Sequence, residues 1–87
     1  MYYVYILLSE KDQRTYVGYT HNIQERLARH NSGSVMATKH RRPFKIFYTE
    51  EFETMTEAKD RELWWKSTSG RRKLKELFKG KEDGILR

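Results

Sequence analysis

The chain has no cysteine. That removes disulfide staples and thiolate zinc sites together, and it fits a reducing compartment, so a cytoplasmic protein is expected. Long apolar runs are missing as well. The longest, Tyr2–Leu8, is far short of the ~20 residues that span a bilayer. It has no basic flank and no small-residue cleavage site, so it does not read as a signal peptide. Neither repeats nor low-complexity segments occur. No membrane role is expected.

Negative charge is scarce too. Eighteen Lys and Arg stand against twelve Asp and Glu, a net charge of +6, and the pI is near 9.7. The surplus points to a polyanionic partner, and with the membrane set aside that partner is nucleic acid. Eighty-seven residues allow one domain, read as residues 1–80 followed by a tail over 81–87. Basic patches with few exposed apolar residues lead us to expect a monomer.

What is present is ordered along the chain. Met1–Leu8 is β-branched and aromatic and gives way to polar Ser9–Arg14, a strand followed by a turn. Thr15–Tyr19 completes an antiparallel hairpin. Alternation places Val4, Ile6, Leu8 and Val17 on the core side, with Tyr3, Tyr5 and Leu7 on the opposite face of the first strand. Asn22–His30 reads as a helix with Asn22 as N-cap, Glu25 completing a capping box and Asn31-Ser32-Gly33 as its stop. Ile23 and Leu27 form its apolar stripe, flanked by Arg26 and His30. A basic loop, Ser34–Pro43, leads to a third strand, Phe44–Phe52, which ends in an acidic patch at Glu50, Glu51 and Glu53. Thr54 or Thr56 caps a helix over Glu57–Lys66. Ser67-Thr68-Ser69-Gly70 breaks it, and Arg71–Lys79 forms a last short helix. The fold class is α+β, a small three-stranded antiparallel sheet flanked by helices in the order β-β-α-β-α-α.

Three features do not fit a plain structural domain. Met55, Ala58, Glu62 and Trp65 share one side of their helix, so the Glu62 carboxylate sits in the stripe that should face the core. It needs a compensating partner: a salt bridge to an arginine, or a hard cation such as Mg²⁺. Tyr5 and Tyr16 share a face of the hairpin if the register allows. They are either ordinary strand aromatics or part of a site, and Gly18 on that face favours the second, because glycine within a strand marks a close approach. Arg26 either covers the core with its stem or grips a phosphate. The spacing of His21, His30 and His40 matches no zinc template. Two basic blocks, Arg26, Arg29, Lys39, Arg41, Arg42 and Lys45, then Lys66, Arg71, Arg72, Lys73, Lys75, Lys79 and Lys81, are either solvated faces or a track for a phosphate backbone.

Together these residues resemble the GIY-YIG nuclease superfamily. Tyr3-Val4-Tyr5 stands at its first motif, with Tyr3 where the family has glycine, and Tyr16-Val17-Gly18 matches the second. The stretch from Gln24 to Gly33 is similar to the helix that carries the family's arginine, and Ala58–Glu62 followed by Lys66 to its metal-binding helix. The resemblance spans residues 2 to about 78. It is closest to short, stand-alone bacterial members related to the N-terminal catalytic domain of the ABC excinuclease. It implies a metal-dependent DNA endonuclease of structure-specific or repair-related action, in a chain about the size of the family's catalytic unit alone. Tyr5, Tyr16, Arg26, His30 and Glu62 would be catalytic, and Glu62 would hold Mg²⁺ or Mn²⁺. Arg29, Lys39, Arg41, Arg42, Lys66, Arg71 and Arg72 would meet DNA, and no small-molecule cofactor is implied. Two other readings stay open. No Asn follows Glu62 at the family's further active-site position, which favours a nucleic-acid-binding module of low activity on the same fold. Trp64 and the patch at Glu50–Glu53 would suit a protein-interaction adaptor.

Overall fold

The computed structural model describes the backbone of residues 1–86 and the side chains of residues 1–79. Its elements are β1 (Tyr2–Ser9), β2 (Thr15–Thr20), α1 (Ile23–Ser32), a 3₁₀ turn (Lys39–Arg41), β3 (Phe44–Phe52), α2 (Met55–Lys66) and α3 (Thr68–Leu86). The sheet is antiparallel in the order β2-β1-β3. This is the expected α+β order. As the central strand, β1 is covered on both faces, which is why Tyr2–Leu8 reads as an unbroken apolar run.

The two faces of β1 carry different clusters. Val4, Ile6 and Leu8 pack with Val17, Phe47, Ala58 and Trp65, and α3 adds Leu74, Leu77 and Phe78. Tyr5 and Leu7 pack instead with Phe44, Tyr16 and Leu27 of α1. The pairing of β1 with β3 shifts between Ile6 and Leu7, where Ile6 faces Tyr48 and Leu7 faces Ile46. Phe47 is the extra residue of this irregularity, and both Phe47 and Tyr48 join the first cluster.

Helix ends follow the sequence closely, with three corrections. Asn22 Oδ1 accepts from the Glu25 N–H at 3.0 Å, but the Asn22 N–H donates to Thr20 Oγ1 at 3.2 Å, so Thr20 takes the place expected for the Glu25 carboxylate in a capping box. Thr54 is the N-cap of α2, which begins at Met55 rather than Glu57. The break after α2 is narrower than Ser67–Gly70. Ser67 ends α2 and α3 already starts at Thr68, so Gly70 lies in the first turn of α3. A Cβ there would collide with the Trp64 carbonyl oxygen and the Trp65 Cα, so glycine is what lets the two helices meet. The expected tail at 81–87 falls where side chains lie outside the described residues, and the backbone of α3 continues to Leu86.

Glycine at position 18 has a different cause. Tyr5 pairs directly opposite Gly18, and its ring lies over the missing side chain, with Cζ only 2.6 Å from where a Cβ would sit. The close approach expected at Gly18 is therefore made by the Tyr5 ring. Gly18→Ala is expected to destabilise the protein by about 1–3 kcal/mol through overpacking, read as a lower urea midpoint. The loss should shrink in a Tyr5→Leu background, and an equal loss there would contradict the stated cause.

Candidate active site

Strand register sets the first half of the site. Tyr16 pairs with Leu7, and Gly18 with Tyr5, so both tyrosines are on the α1 face of the hairpin. Helix α1 supplies the second half. Its N-cap Asn22 and its left-handed C-cap Gly33 (φ 86°) fix its ends, and spacing by one turn brings Arg26 and His30 to the same side. The His30 ring is 5.0 Å from that of Tyr16 and 5.8 Å from that of Tyr5, centre to centre.

The Tyr5 hydroxyl lies 3.0 Å from His30 Nε2, and His30 Nδ1 lies 2.8 Å from Thr38 Oγ1. Tyr5 is 2% exposed and His30 1%. Burial pushes the Tyr5 phenol up to about 12, against the pull of the Arg26 guanidinium, while Tyr16 and the Glu62 carboxylate push the same way as burial. Arg26, Tyr16 and Glu62 therefore all act on one phenol. The imidazole of His30 is held below its usual 6.5 by burial and then by the Arg26 and Arg29 cations, which keeps it neutral at pH 7.

That depressed value has a consequence for stability. A histidine neutral when folded and protonated when unfolded gives the unfolded chain the extra proton below 6.5, so stability rises with pH through that window and is fully present above it. The urea midpoint should fall as pH is lowered from about 7.5 to 5, and His30→Asn should flatten the dependence. A wild-type midpoint no more pH-sensitive than the variant's would contradict a neutral, buried His30.

Glu62 is largely covered, its side chain 14% exposed, and its ion pair is with Lys66 of the same helix at 3.4 Å rather than with an arginine. That distance is longer than a tight charge-assisted bond of about 2.7–2.9 Å. Of its stripe, Ala58 and Trp65 are buried but Met55 is 51% exposed. The arginine of this helix serves another carboxylate. Glu50, 17% exposed at its side chain, accepts from Arg61 Nε at 3.0 Å and Nη2 at 3.1 Å, and from Trp65 Nε1 at 2.7 Å. Arg61 also lies 4.0 Å above the Trp64 ring, and Trp64 packs on the first cluster. Glu50 and Trp64, read from sequence as parts of an adaptor surface, are thus built into the α2–β3 packing.

The basic residues divide in two. Arg41 donates to Asp12 Oδ2 at 2.9 Å and to the Thr15 carbonyl at 3.4 Å, holding the Asp12 carboxyl down at about 2. Arg42 donates to the carbonyls of Lys39 at 2.8 Å and Asn31 at 3.4 Å. These two tie the 34–43 loop to its neighbours. Arg29, Lys39, Arg71 and Arg72 are exposed. A groove of about 920 Å³ between β2 and α3 is lined by Tyr16, Val17, Trp65 and Phe78, with Arg14, Arg71 and Lys75 also in its lining.

Among the described residues no three or more His, Asp or Glu side chains gather into a metal cage, and no helix is long and apolar enough to cross a membrane. The chain's residues 1–75 match the model of the GIY-YIG catalytic domain. The chain belongs to the GIY-YIG nuclease family. It is 39% identical over 88 residues to a UPF0213 protein of Pediococcus acidilactici, covering 98% of this chain and 86% of that one. A UPF0213 protein of Staphylococcus haemolyticus is 44% identical over 75 residues, covering 85% and 90%. The solution structure of a UPF0213 protein from Bacillus halodurans has a TM-score of 0.52 at 36% identity, over 88% of this chain and 85% of the other.

Two buried polar partners were not foreseen, Thr38 behind His30 and Glu50 beneath α2. Thr38, wholly buried, lies in what read as a basic loop, and no periodicity marks it. Glu50 could have been found, since Tyr48, Glu50 and Phe52 alternate on the side of β3 that meets the core.

Proposed function

We propose that the protein is a divalent-metal-dependent endonuclease that hydrolyses DNA phosphodiester bonds. The observation that carries this reading is the Tyr5 hydroxyl set 3.0 Å from a neutral, buried His30, with Arg26, Tyr16 and Glu62 acting on the same phenol. A hydrolase of phosphodiesters needs a proton acceptor for water and positive charge for the phosphoryl oxygens, and these residues supply both.

The donor set suits a hard cation. Glu62 is a single, mostly covered carboxylate in a loose ion pair, and Mg²⁺ or Mn²⁺ commonly takes one or two carboxylates and completes its shell with water and phosphate oxygens. Such an ion would act as a Lewis acid on the phosphoryl group. The other steps belong to side chains. With the phenol near 12 and the imidazole below 6.5, a standing phenolate is costly, because each unit is about 1.4 kcal/mol. Tyr5 therefore works as a bridge: it takes a proton from the attacking water as its own proton passes to His30 Nε2. Arg26, half-exposed beside it, donates to the phosphoryl oxygens, and Tyr16 orients water or phosphate. Arg29, Lys39, Lys66, Arg71 and Arg72 face the phosphate backbone, an attraction that salt screens steeply.

The test is incubation of the protein with branched, duplex and single-stranded DNA in Mg²⁺ or Mn²⁺. The expected outcome is cleavage that EDTA stops. Salt-sensitive binding without cleavage under either ion would favour the binding-module reading instead.

A further inference from the structure

The Tyr5–His30 pair continues inward to a third group that takes no part in the proton transfer itself. His30 Nδ1 is 2.8 Å from Thr38 Oγ1, and Oγ1 is 3.5 Å from the Val35 carbonyl oxygen. Thr38 is wholly buried. Its backbone is tied on both sides, its N–H to the Val35 carbonyl at 3.1 Å and its carbonyl to the Arg41 N–H at 2.9 Å. The hydroxyl is thus presented from a fixed turn.

The donors decide which way the chain of hydrogen bonds runs. The Arg26 guanidinium lies near enough to Tyr5 to pull its phenol down, and a guanidinium only donates, so it favours the Tyr5 oxygen as an acceptor on that side. The Tyr5 proton then needs an acceptor, and Nε2 is the atom in reach. A neutral imidazole has one N–H and one lone pair, so a lone pair at Nε2 puts the proton on Nδ1, facing Thr38. Thr38 accepts it and sends its own proton to Val35. In the opposite tautomer Nε2 would donate to Tyr5, and Thr38 Oγ1 would have to donate to Nδ1 instead of to the Val35 carbonyl. Among the described residues no buried side-chain nitrogen or oxygen is left without a partner, which agrees with a closed chain.

We propose that Thr38 is a positioning residue that holds His30 as the Nδ1–H tautomer and so aims the Nε2 lone pair at the Tyr5 hydroxyl. The tautomer rests on this hydrogen-bond geometry together with a neutral imidazole. Its consequence for turnover rests on the nuclease reading. The nearest precedent in kind is the orientation of a catalytic imidazole by an acceptor on its far nitrogen.

Long-range ¹H–¹⁵N correlation spectra of the histidine side chains read the tautomer directly in the free protein. Exposed His21 and His40 serve as internal references. The expected result is Nδ1–H for His30 in the wild type and in Thr38→Ser, with an admixture of Nε2–H in Thr38→Val. Turnover should fall on the order of 10-fold or more in Thr38→Val, with DNA affinity unchanged, and recover in Thr38→Ser. A wild-type His30 in the Nε2–H form overturns the proposal, and so does a Thr38→Val protein that keeps Nδ1–H. If Thr38→Val fails to fold, the wild-type and Thr38→Ser spectra still decide. A protein with the expected tautomer and no cleavage would sink the nuclease reading and leave the role of Thr38 standing, and active nuclease with the other tautomer would do the reverse.

Discussion

Tyr5→Phe should reduce DNA cleavage about 10²- to 10⁴-fold, the usual span for removing a group that moves a proton in the transition state. The substitution deletes one oxygen and keeps the ring over Gly18, so the hairpin packing survives. It also leaves His30 Nε2, now 3.0 Å from a hydroxyl, buried without a partner. Losing a buried hydrogen bond in this way costs about 1–3 kcal/mol, so the urea midpoint should fall while the fold remains. Single-turnover rates on a labelled substrate, measured beside the denaturation curve, separate the two effects. A variant that cleaves at the wild-type rate would place the proton acceptor elsewhere.

Glu62→Gln should be the second most damaging change. It keeps shape and hydrogen-bonding capacity and removes only charge. Because the pair with Lys66 is long and its partner half-exposed, the stability change should stay within about 1 kcal/mol. Cleavage in Mg²⁺ or Mn²⁺ should fall about 10²-fold or more, as expected when charge aimed at the transition state is lost. A readout independent of activity is available in the same variant. The Glu62 carboxylate helps to raise the Tyr5 phenol, so its removal should lower the pH at which Tyr5 ionises, observable by NMR titration of the ring. Unchanged cleavage, or an unmoved Tyr5, would detach Glu62 from the site.

Much of the fold was legible in the order of the residues. The alternation of Val4, Ile6 and Leu8 against Tyr5 and Leu7 separated the two clusters correctly, because side-chain direction in a strand is fixed by a period of two. Asn22 and Gly33 marked helix α1 because caps obey local chemistry. What escaped detection depended on contacts between distant segments. Thr38 meets His30 only after the 34–43 loop folds back, and nothing local in Thr-Lys-His-Arg announces it. The stripe on α2 pointed to Glu62 as a covered carboxylate, yet the arginine that could have neutralised it pairs with Glu50. Gly70 read as a helix breaker, because its local meaning differs from its use at a crowded helix–helix junction. The bonds of Arg41 to Asp12 and of Arg42 to the Lys39 carbonyl were likewise not legible, because they join segments through the folded 34–43 loop.

The central claim is that Glu62 and the Tyr5–His30 pair form one hydrolytic centre. Soaking Mn²⁺ into crystals and recording its anomalous signal tests this most directly. A single strong peak is expected at the Glu62 carboxylate, on the side facing Tyr5 and Tyr16. A peak bound elsewhere, or none at Glu62 at Mn²⁺ concentrations that support cleavage, would contradict it.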